Sequence, residues 1–170
     1  VEHRGRARRI HREVDERQVQ VGRLLHPDRQ CELSGRRILL NPDDPVFSAP
    51  APDRCLVVPD TTKGPVTIEV TRAWSPRGAD RFVALVRHGY YDGNRFFRIN
   101  PGRWTQFGIN GDPAIPRAWR GRTFPDDPFL KTNLRVTVAF VFAVPNGRTT
   151  QVFFNLGDNS PTHDKEPFTP

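Results

Sequence analysis

The sequence contains no methionine and only two cysteines, Cys31 and Cys55, among its 170 residues. Two cysteines cannot form the several disulfides of a small secreted scaffold, and neither has a His or Cys neighbour at metal-ligand spacing. No apolar run approaches the roughly 18 residues that a membrane-spanning helix requires. The sequence therefore excludes a disulfide scaffold and a membrane span, and it predicts no metal site.

Apolar residues are also scarce, at 36% of the chain, and the mean hydropathy is −0.61. Basic residues outnumber acidic ones by 26 to 19, which gives a net charge of +7, and all of the basic residues except Lys63, Lys131 and Lys165 are Arg. This length has room for one domain plus an extension, and this polarity argues against a packed core throughout. The chain begins with Val and shows no secretory signal, so we expect a cytoplasmic protein whose natural N-terminus lies further upstream.

Composition divides the chain into three parts. Residues 1–40 hold ten Arg and six acidic residues with scattered apolar positions, which predicts a poorly ordered basic extension. Its Arg4–Arg12 run leaves a nucleic-acid-binding role open, since clustered arginines contact phosphates. Residues 41–54 are rich in Pro and Asp and predict an extended linker, so residues 1–50 are expected to be poorly packed. Residues 55–170 are expected to form the folded domain.

The expected domain is mainly β with one clear helix. Alternating apolar and polar residues over 66–71 predict a half-buried strand, and the apolar run at 56–58 is expected to pair with it as a hairpin. Further strands are expected over 95–99, 136–144 and 151–156. The helix opens at Pro76 and ends before Gly89, with an apolar stripe along one face. Several short strands and one helix predict a β-barrel or sandwich.

No hydrolase or phosphate-binding motif is present, and the five histidines are far apart in the sequence. The residue that stands out is Arg98, which follows Phe96 and Phe97 in a predicted strand and precedes Ile99. From this pattern alone the commoner interpretation is an Arg paired with an acid at a barrel rim, and a catalytic role is the alternative. Strand alternation places Phe97 and Ile99 on one face, which we expect to fill the barrel, and turns Arg98 toward the outside.

Three segments, in a fixed order, resemble the cyclophilins. They are TTKGP at 61–65, GYYDG at 89–93 leading to FFRINPG at 96–102, and PN at 145–146 followed by TTQVF at 149–153. The segments 106–113 and 154–159 resemble the bacterial branch of that family. The resemblance covers roughly residues 55–170. It implies a cyclophilin-like antiparallel β-barrel and a peptidyl-prolyl cis-trans isomerase that uses no cofactor.

The resemblance also implies a binding site for proline-containing peptides. It makes Arg98 the donor to the prolyl nitrogen, Gln106 the residue that orients Arg98, and Phe153 part of the proline pocket. The peptide-binding positions that it implies are Phe97, Arg103, Trp104, Val141, Phe142, Gln151 and Phe168.

The sequence departs from the family at this pocket. Arg103 and Trp104 replace the usual Phe-Met pair, and because burying the charge of Arg103 is costly, we expect it to be exposed at the pocket mouth. The Trp or Leu of the far wall has no clear counterpart between Ser160 and Glu166. The family continues into a second capping helix and further strands, so we expect a C-terminally truncated domain with one capping helix visible.

Three functions follow from these observations. We expect a peptidyl-prolyl isomerase that acts on exposed X-Pro segments and assists folding. The first alternative is a non-catalytic proline-peptide binder or chaperone-like module with a degraded pocket. The second is a nucleic-acid-binding protein led by the basic residues 1–40. No membrane partner is expected.

Overall fold

The structure is a computed structural model and describes residues 36–170. Most of the basic extension expected over residues 1–40, including the Arg4–Arg12 run, lies outside the described residues. The strands are β1 (Arg54–Val57), β2 (Ile68–Thr71), β3 (Arg98–Asn100), β4 (Trp104–Phe107), β5 (Val138–Phe140) and β6 (Val152–Asn155). The helices after residue 50 are α1 (Pro76–Arg87), α2 (Ala114–Trp119) and α3 (Ser160–His163), and short 3-10 turns lie at Pro45–Ser48 and Arg72–Trp74.

The strands form two antiparallel sheets. β1 and β2 pair as a hairpin, and the other four strands follow the order β3-β4-β6-β5. Barrel closure requires every edge strand to pair with another strand, and between residues 36 and 170 β3 and β5 remain edges of their sheet. The mainly β, antiparallel character is as expected. The strands between residues 36 and 170 form two sheets instead of a closed barrel, and three helices follow residue 50 where the sequence predicted one.

The hairpin follows the predicted alternation of buried and exposed side chains. Ile68 and Val70 are buried, and Glu69 between them is exposed. The first strand lies at Arg54–Val57 instead of 56–58, and it stops short of Pro59, which has no N–H to donate to a ladder. The pattern therefore predicts which face is buried more accurately than it predicts where the strand ends.

Helix α1 buries its predicted apolar stripe, and a distant carboxylate caps its N-terminus. Asp127 accepts hydrogen bonds from Ser75 Oγ at 2.7 Å and from the backbone N–H groups of Arg77 at 3.0 Å and Gly78 at 2.9 Å. Burial alone would raise the pKa of Asp127, but these hydrogen bonds and the nearby cation of Arg148 lower it below its usual value. Asp127 therefore supplies the first turn of α1 with a charged cap.

Arg148 is fully buried and joins three parts of the chain. Its Nη1 lies 3.2 Å from Asp127 Oδ2 and donates to Thr169 Oγ1 at 3.0 Å, and its Nη2 donates to the carbonyl of Pro125. Its Cζ lies 4.6 Å from the ring centroid of Phe124. The guanidinium thus ties the loop at 124–127, the start of α1 and the segment around Thr169 to one another.

Residues 36–51 pack on the domain. Leu39, Phe47 and Ala51 are buried, Trp119 Nε1 donates to the Leu39 carbonyl at 2.8 Å, and the Ala51 N–H donates to Asp80 Oδ1 at 2.7 Å. The expectation of poor packing over residues 1–50 is therefore wrong for this segment. A few apolar side chains among the Pro and Asp residues suffice to seat it, and composition averaged over the stretch does not show them.

An apolar cavity of about 830 Å³ lies between the two sheets. Its walls include Ile68 and Val70 from β2, Phe82 from α1, and Val138 and Phe154 from the four-stranded sheet. Because side chains alternate along a strand, the opposite face of the four-stranded sheet carries a different set of residues. That outer face holds the candidate site.

Replacing Arg148 with Met should lower the free energy of unfolding by about 3–5 kcal/mol, because it removes the buried cation beside the Asp127 carboxylate. Arg122→Met is the matched control. Arg122 forms an exposed ion pair with Asp43 at 2.8 Å, and its loss should cost less than about 1 kcal/mol. Urea unfolding of the wild type and both variants measures the difference. Equal losses in the two variants would contradict the role of Arg148.

The lowered pKa of Asp127 also makes its contribution to stability depend on pH. The contribution is complete above the unfolded-state pKa of about 3.9 and is lost as the pH falls through the lower folded-state pKa. The stability difference between the wild type and Asp127→Asn should therefore be largest near neutral pH and should shrink below about pH 4. Urea unfolding across this range tests it, and a difference that is independent of pH would show that the carboxylate charge does not matter.

Candidate functional site

A cross-strand row of side chains runs over the outer face of the four-stranded sheet. Arg98 lies opposite Gln106, Gln106 opposite Phe153, and Phe153 opposite Ala139. Neighbouring strands lie about 4.8 Å apart, so the backbones of Arg98 and Phe153 are separated by roughly 10 Å. The three residues predicted to be catalytic therefore share one face and one row.

The guanidinium of Arg98 lies over an aromatic ring. Arg98 is exposed, and its Cζ lies 4.8 Å from the ring centroid of Trp104, within the range of a cation–π contact. No hydrogen bond or ion pair joins its side chain to another residue in the part of the chain that the structure describes. Among residues 36–170, Arg98 therefore contacts an aromatic ring and does not pair with an acid, the arrangement that the commoner interpretation of its sequence pattern predicted.

The side chain of Gln106 is buried and bonded to a glutamine. Its Nε2 donates to Gln151 Oε1 at 2.7 Å, and Gln151 is half-buried directly before β6. The resemblance implied that Gln106 orients Arg98, yet no hydrogen bond joins these two side chains. The side-chain amide of Gln106 is hydrogen-bonded to Gln151 instead.

Beyond Gln106 on the same face, the rings of Phe142, Phe153, His163 and Phe168 pack against one another, and we call this closed cluster the aromatic pocket. The Phe153 ring lies 5.3 Å from each of the rings of Phe168 and His163, in edge-on geometry. Phe168 lies 4.5 Å from the Phe142 ring and 4.7 Å from the His163 ring. The predicted residues Phe142, Phe153 and Phe168 thus come together in one apolar cluster.

His163 is the member of this pocket that the sequence did not reveal. It lies between Ser160 and Glu166, where no wall residue was identifiable, because a lone His in a polar segment gives no periodic signal. Burial lowers its pKa, the charge of Arg103 lowers it further, and Asp164 opposes the shift. Its Nδ1 is buried without a hydrogen-bond partner among the described residues. The lowered pKa favours the uncharged imidazole, which suits its packing among the aromatic rings.

Arg103 is exposed at the edge of the pocket, as its charge led us to expect. Its Nη2 donates to Thr162 Oγ1 at 3.0 Å, and its Nε donates to Asn159 Oδ1 at 3.3 Å. The Asn159 side chain returns a hydrogen bond to the Arg103 carbonyl at 2.7 Å. These contacts hold the Arg103 side chain beside α3, and the Trp104 ring is contacted by Arg98.

The remaining predicted positions lie around the site with different exposures. Phe97 is 45% exposed and Phe96 is buried, so the expectation that Phe97 fills the barrel is wrong. β3 begins only at Arg98, and strand alternation therefore does not extend back to Phe97. Val141 is half-buried, and its N–H donates to the Gln151 carbonyl at 2.9 Å, which fixes the chain next to the pocket.

The arrangement places a cationic donor beside an apolar pocket. Such a site can bind an apolar ring and offer an N–H group to an atom at the ring's edge. Over residues 36–170 no three His, Cys, Asp or Glu side chains form a group that could hold a metal ion. None of the helices in that range has the length and apolar character to cross a membrane.

Residues 56–167 match the family described as cyclophilin type peptidyl-prolyl cis-trans isomerase/CLD, and the chain belongs to this family. The peptidyl-prolyl cis-trans isomerase-like 3 of Neurospora crassa is 35% identical over 112 residues, which cover 61% of this chain and 66% of that protein. The peptidyl-prolyl isomerase CWC27 of Yarrowia lipolytica is 31% identical over 112 residues, 59% of this chain and 30% of that protein. The spliceosome-associated protein CWC27 homolog of Danio rerio is 32% identical over 120 residues, 66% of this chain and 24% of that protein.

These relatives correct the expected bacterial origin of the domain, and they limit what family membership says about its activity. They are eukaryotic, so the likeness to a bacterial branch that the segments 106–113 and 154–159 led us to expect is not supported. The chain spans less than two thirds of the length of these relatives. Family membership therefore describes the domain, and the activity and partners of whole relatives are a separate question.

Replacing Arg103 with Ala should raise the pKa of His163, because a nearby cation disfavours protonation of the imidazole. Arg135→Ala serves as the control, since the Arg135 side chain donates to the Leu156 carbonyl at 3.2 Å and does not contribute to the pKa shift of His163. Titration of the His163 ring signals by NMR measures the pKa in all three proteins. A His163 pKa that is the same in Arg103→Ala and in the wild type would show that Arg103 does not act on the pocket.

Proposed function

We propose that this domain is a peptidyl-prolyl cis-trans isomerase acting on X-Pro bonds in protein segments. The observation that carries the proposal is the position of Arg98. Its guanidinium lies on the same sheet face as the aromatic pocket and is bonded to no carboxylate among residues 36–170. A cationic donor that is not already bonded is available to a substrate.

The reaction needs a donor of this kind. Rotation about an X-Pro bond meets a barrier of about 18–20 kcal/mol because the amide is conjugated. In the twisted state the prolyl nitrogen becomes pyramidal and regains its lone pair. An N–H group aimed at that nitrogen binds the twisted state more tightly than either planar isomer, and this difference in binding lowers the barrier.

We assign the other residues by their place around the donor. The aromatic pocket takes the prolyl ring when Phe168 moves aside, with Phe153 as its floor and His163 as a wall. Gln106 and Gln151 present amide groups between Arg98 and the pocket, where they can bind the substrate backbone. Val141 and Phe142, which follow β5, border the peptide.

One hydrogen bond is too weak to account for the whole reaction. A charge-assisted hydrogen bond contributes about 1.5–3 kcal/mol, whereas a 10⁵-fold acceleration requires about 7 kcal/mol. The remainder must come from holding the prolyl ring in a preorganised apolar pocket. The rings of Phe142, Phe153, His163 and Phe168 supply the apolar walls of such a pocket, which opens to the prolyl ring when Phe168 moves off Phe153.

A second candidate function, binding of proline-containing peptides without catalysis, is favoured by one observation. Phe153 is only 3% exposed because Phe168 and His163 pack against it, which leaves little of its surface for a prolyl ring. A peptide must therefore move Phe168 or bind above it. Calorimetry with an X-Pro peptide separates the two functions, since a pure binder shows binding without any acceleration of isomerisation.

The partners we propose are exposed X-Pro segments of proteins. The Danio rerio relative is named as spliceosome-associated, so protein partners within a large assembly are also a reasonable proposal for this chain. These relatives give no support to a simple cytoplasmic location. Nucleic-acid binding through residues 1–40 stays a prediction, because it rests on residues outside those that the structure describes.

Replacing Arg98 with Ala should lower the kcat/KM of prolyl isomerisation about 10- to 100-fold, which corresponds to the loss of one charge-assisted hydrogen bond. Thermal unfolding should change little, since Arg98 is exposed. Arg98→Lys should restore little activity, because a mobile ammonium does not reproduce the planar set of donors. An isomerisation assay with an X-Pro peptide measures all three proteins.

Arg95→Ala is the matched control for this experiment. Arg95 is an exposed Arg three residues before Arg98 and should retain wild-type activity. Full activity in Arg98→Ala would remove the catalytic assignment. Collapse of the fold in Arg98→Ala would point to a structural role instead.

A further inference from the structure

We propose that Trp104 is the positioning residue for Arg98: its indole ring holds the guanidinium in place by stacking and leaves the guanidinium N–H groups free for substrate. This inference rests on the isomerase function proposed above. It assigns to Trp104 a role different from the wall of the proline pocket that the resemblance implied.

The register of β3 and β4 brings the two side chains together. Arg98 pairs with Gln106 and Asn100 pairs with Trp104, so Trp104 is the diagonal neighbour of Arg98 on the same face of the sheet. Diagonal neighbours in an antiparallel pair are within reach of each other when the side chains are long or aromatic. The distance of 4.8 Å from the Arg98 Cζ to the Trp104 ring centroid shows that the two are in contact.

Other groups that could hold Arg98 are engaged elsewhere. The Gln106 amide donates to Gln151 at 2.7 Å, and the Arg103 side chain is bonded to Thr162 and Asn159 beside α3. No acidic side chain forms an ion pair with Arg98 in the described part of the chain. Within the described part of the chain, the Trp104 ring is thus the group that restrains the Arg98 guanidinium.

Stacking suits a donor that must remain available. An Arg side chain has many rotamers, and a free guanidinium would have to lose this freedom each time a substrate bound. A carboxylate partner would fix the side chain but would also occupy its N–H donors, because Arg and carboxylate pair through two parallel hydrogen bonds. An aromatic ring contacts the flat face of the guanidinium and leaves the donors around its edge unbonded. Trp is the best side chain for such a contact.

The first arm of the test reads the contact directly by NMR. Protons held over an aromatic face are shifted upfield, so the side-chain signals of Arg98 should move downfield in Trp104→Leu. Trp104→Phe keeps a ring and should preserve part of the shift. Trp74→Leu is the matched control, since the Trp74 ring lies 4.7 Å from the Nζ of Lys131 and should leave the Arg98 signals unchanged. Arg98 signals that are the same in Trp104→Leu and the wild type would overturn the proposal.

The second arm is a double-mutant cycle on activity. Trp104→Leu should lower kcat/KM about two- to five-fold, the size expected for an exposed cation–π contact. In the Arg98→Ala background the same change should have no further effect, because Trp104 acts through Arg98. An equal loss in both backgrounds would show that Trp104 contacts the substrate itself and would overturn its positioning role.

The two arms separate this proposal from the function on which it rests. If the wild-type domain does not accelerate isomerisation, the proposed function fails. An upfield shift of the Arg98 signals that is lost in Trp104→Leu would still show that Trp104 contacts and positions Arg98. If the domain is active and the Arg98 signals do not respond to Trp104→Leu, the function stands and the positioning role fails. Thermal unfolding of each variant identifies a loss that comes from misfolding.

Discussion

The fold and the aromatic pocket both depend on the contacts of one buried group, the guanidinium of Arg148. It faces Asp127, which caps α1, and it donates to Thr169, the residue after Phe168. A buried ion pair of this kind is costly to form and more costly to break, because removing one partner leaves the charge of the other poorly compensated in the interior. The position of Phe168 in the aromatic pocket therefore depends on a charge pair in the core.

A second set of buried polar contacts fixes the other side of the same segment. Asn133 Nδ2 donates to the Phe168 carbonyl and to Asp164 Oδ1, both at 2.9 Å, and Asn155 Nδ2 lies 3.3 Å from Asn133 Oδ1. Asn155 belongs to β6, two residues after Phe153. Buried amides must find hydrogen-bond partners. This network therefore links the strand that carries Phe153 to the segment that carries Phe168 by hydrogen bonds as well as by ring contacts. The pocket is thus assembled from both ends of the Phe168 segment.

The sequence predicts the parts of this molecule that depend on local pattern. It identified α1, the hairpin faces and the outward direction of Arg98, and the family motifs placed Gln106 and Phe153 beside it. It did not predict the packing of residues 36–51, the exposure of Phe97 or the place of His163, because each depends on contacts between residues that are distant in the chain. Leu39 is buried by Trp119, and His163 lies against Phe153 only after the chain has turned back.

Two arginines show how far the surroundings decide what a residue type does. Arg98 follows two Phe residues in a strand pattern, whereas Arg148 lies between Gly147 and Thr149 in a turn-rich segment. Arg148 is buried among oxygen acceptors, so its donors are engaged and its role is structural. Arg98 meets only a ring face among the described residues, so its donors remain unbonded at the surface. Since both side chains carry the same guanidinium, the free donors make Arg98 the candidate for chemistry.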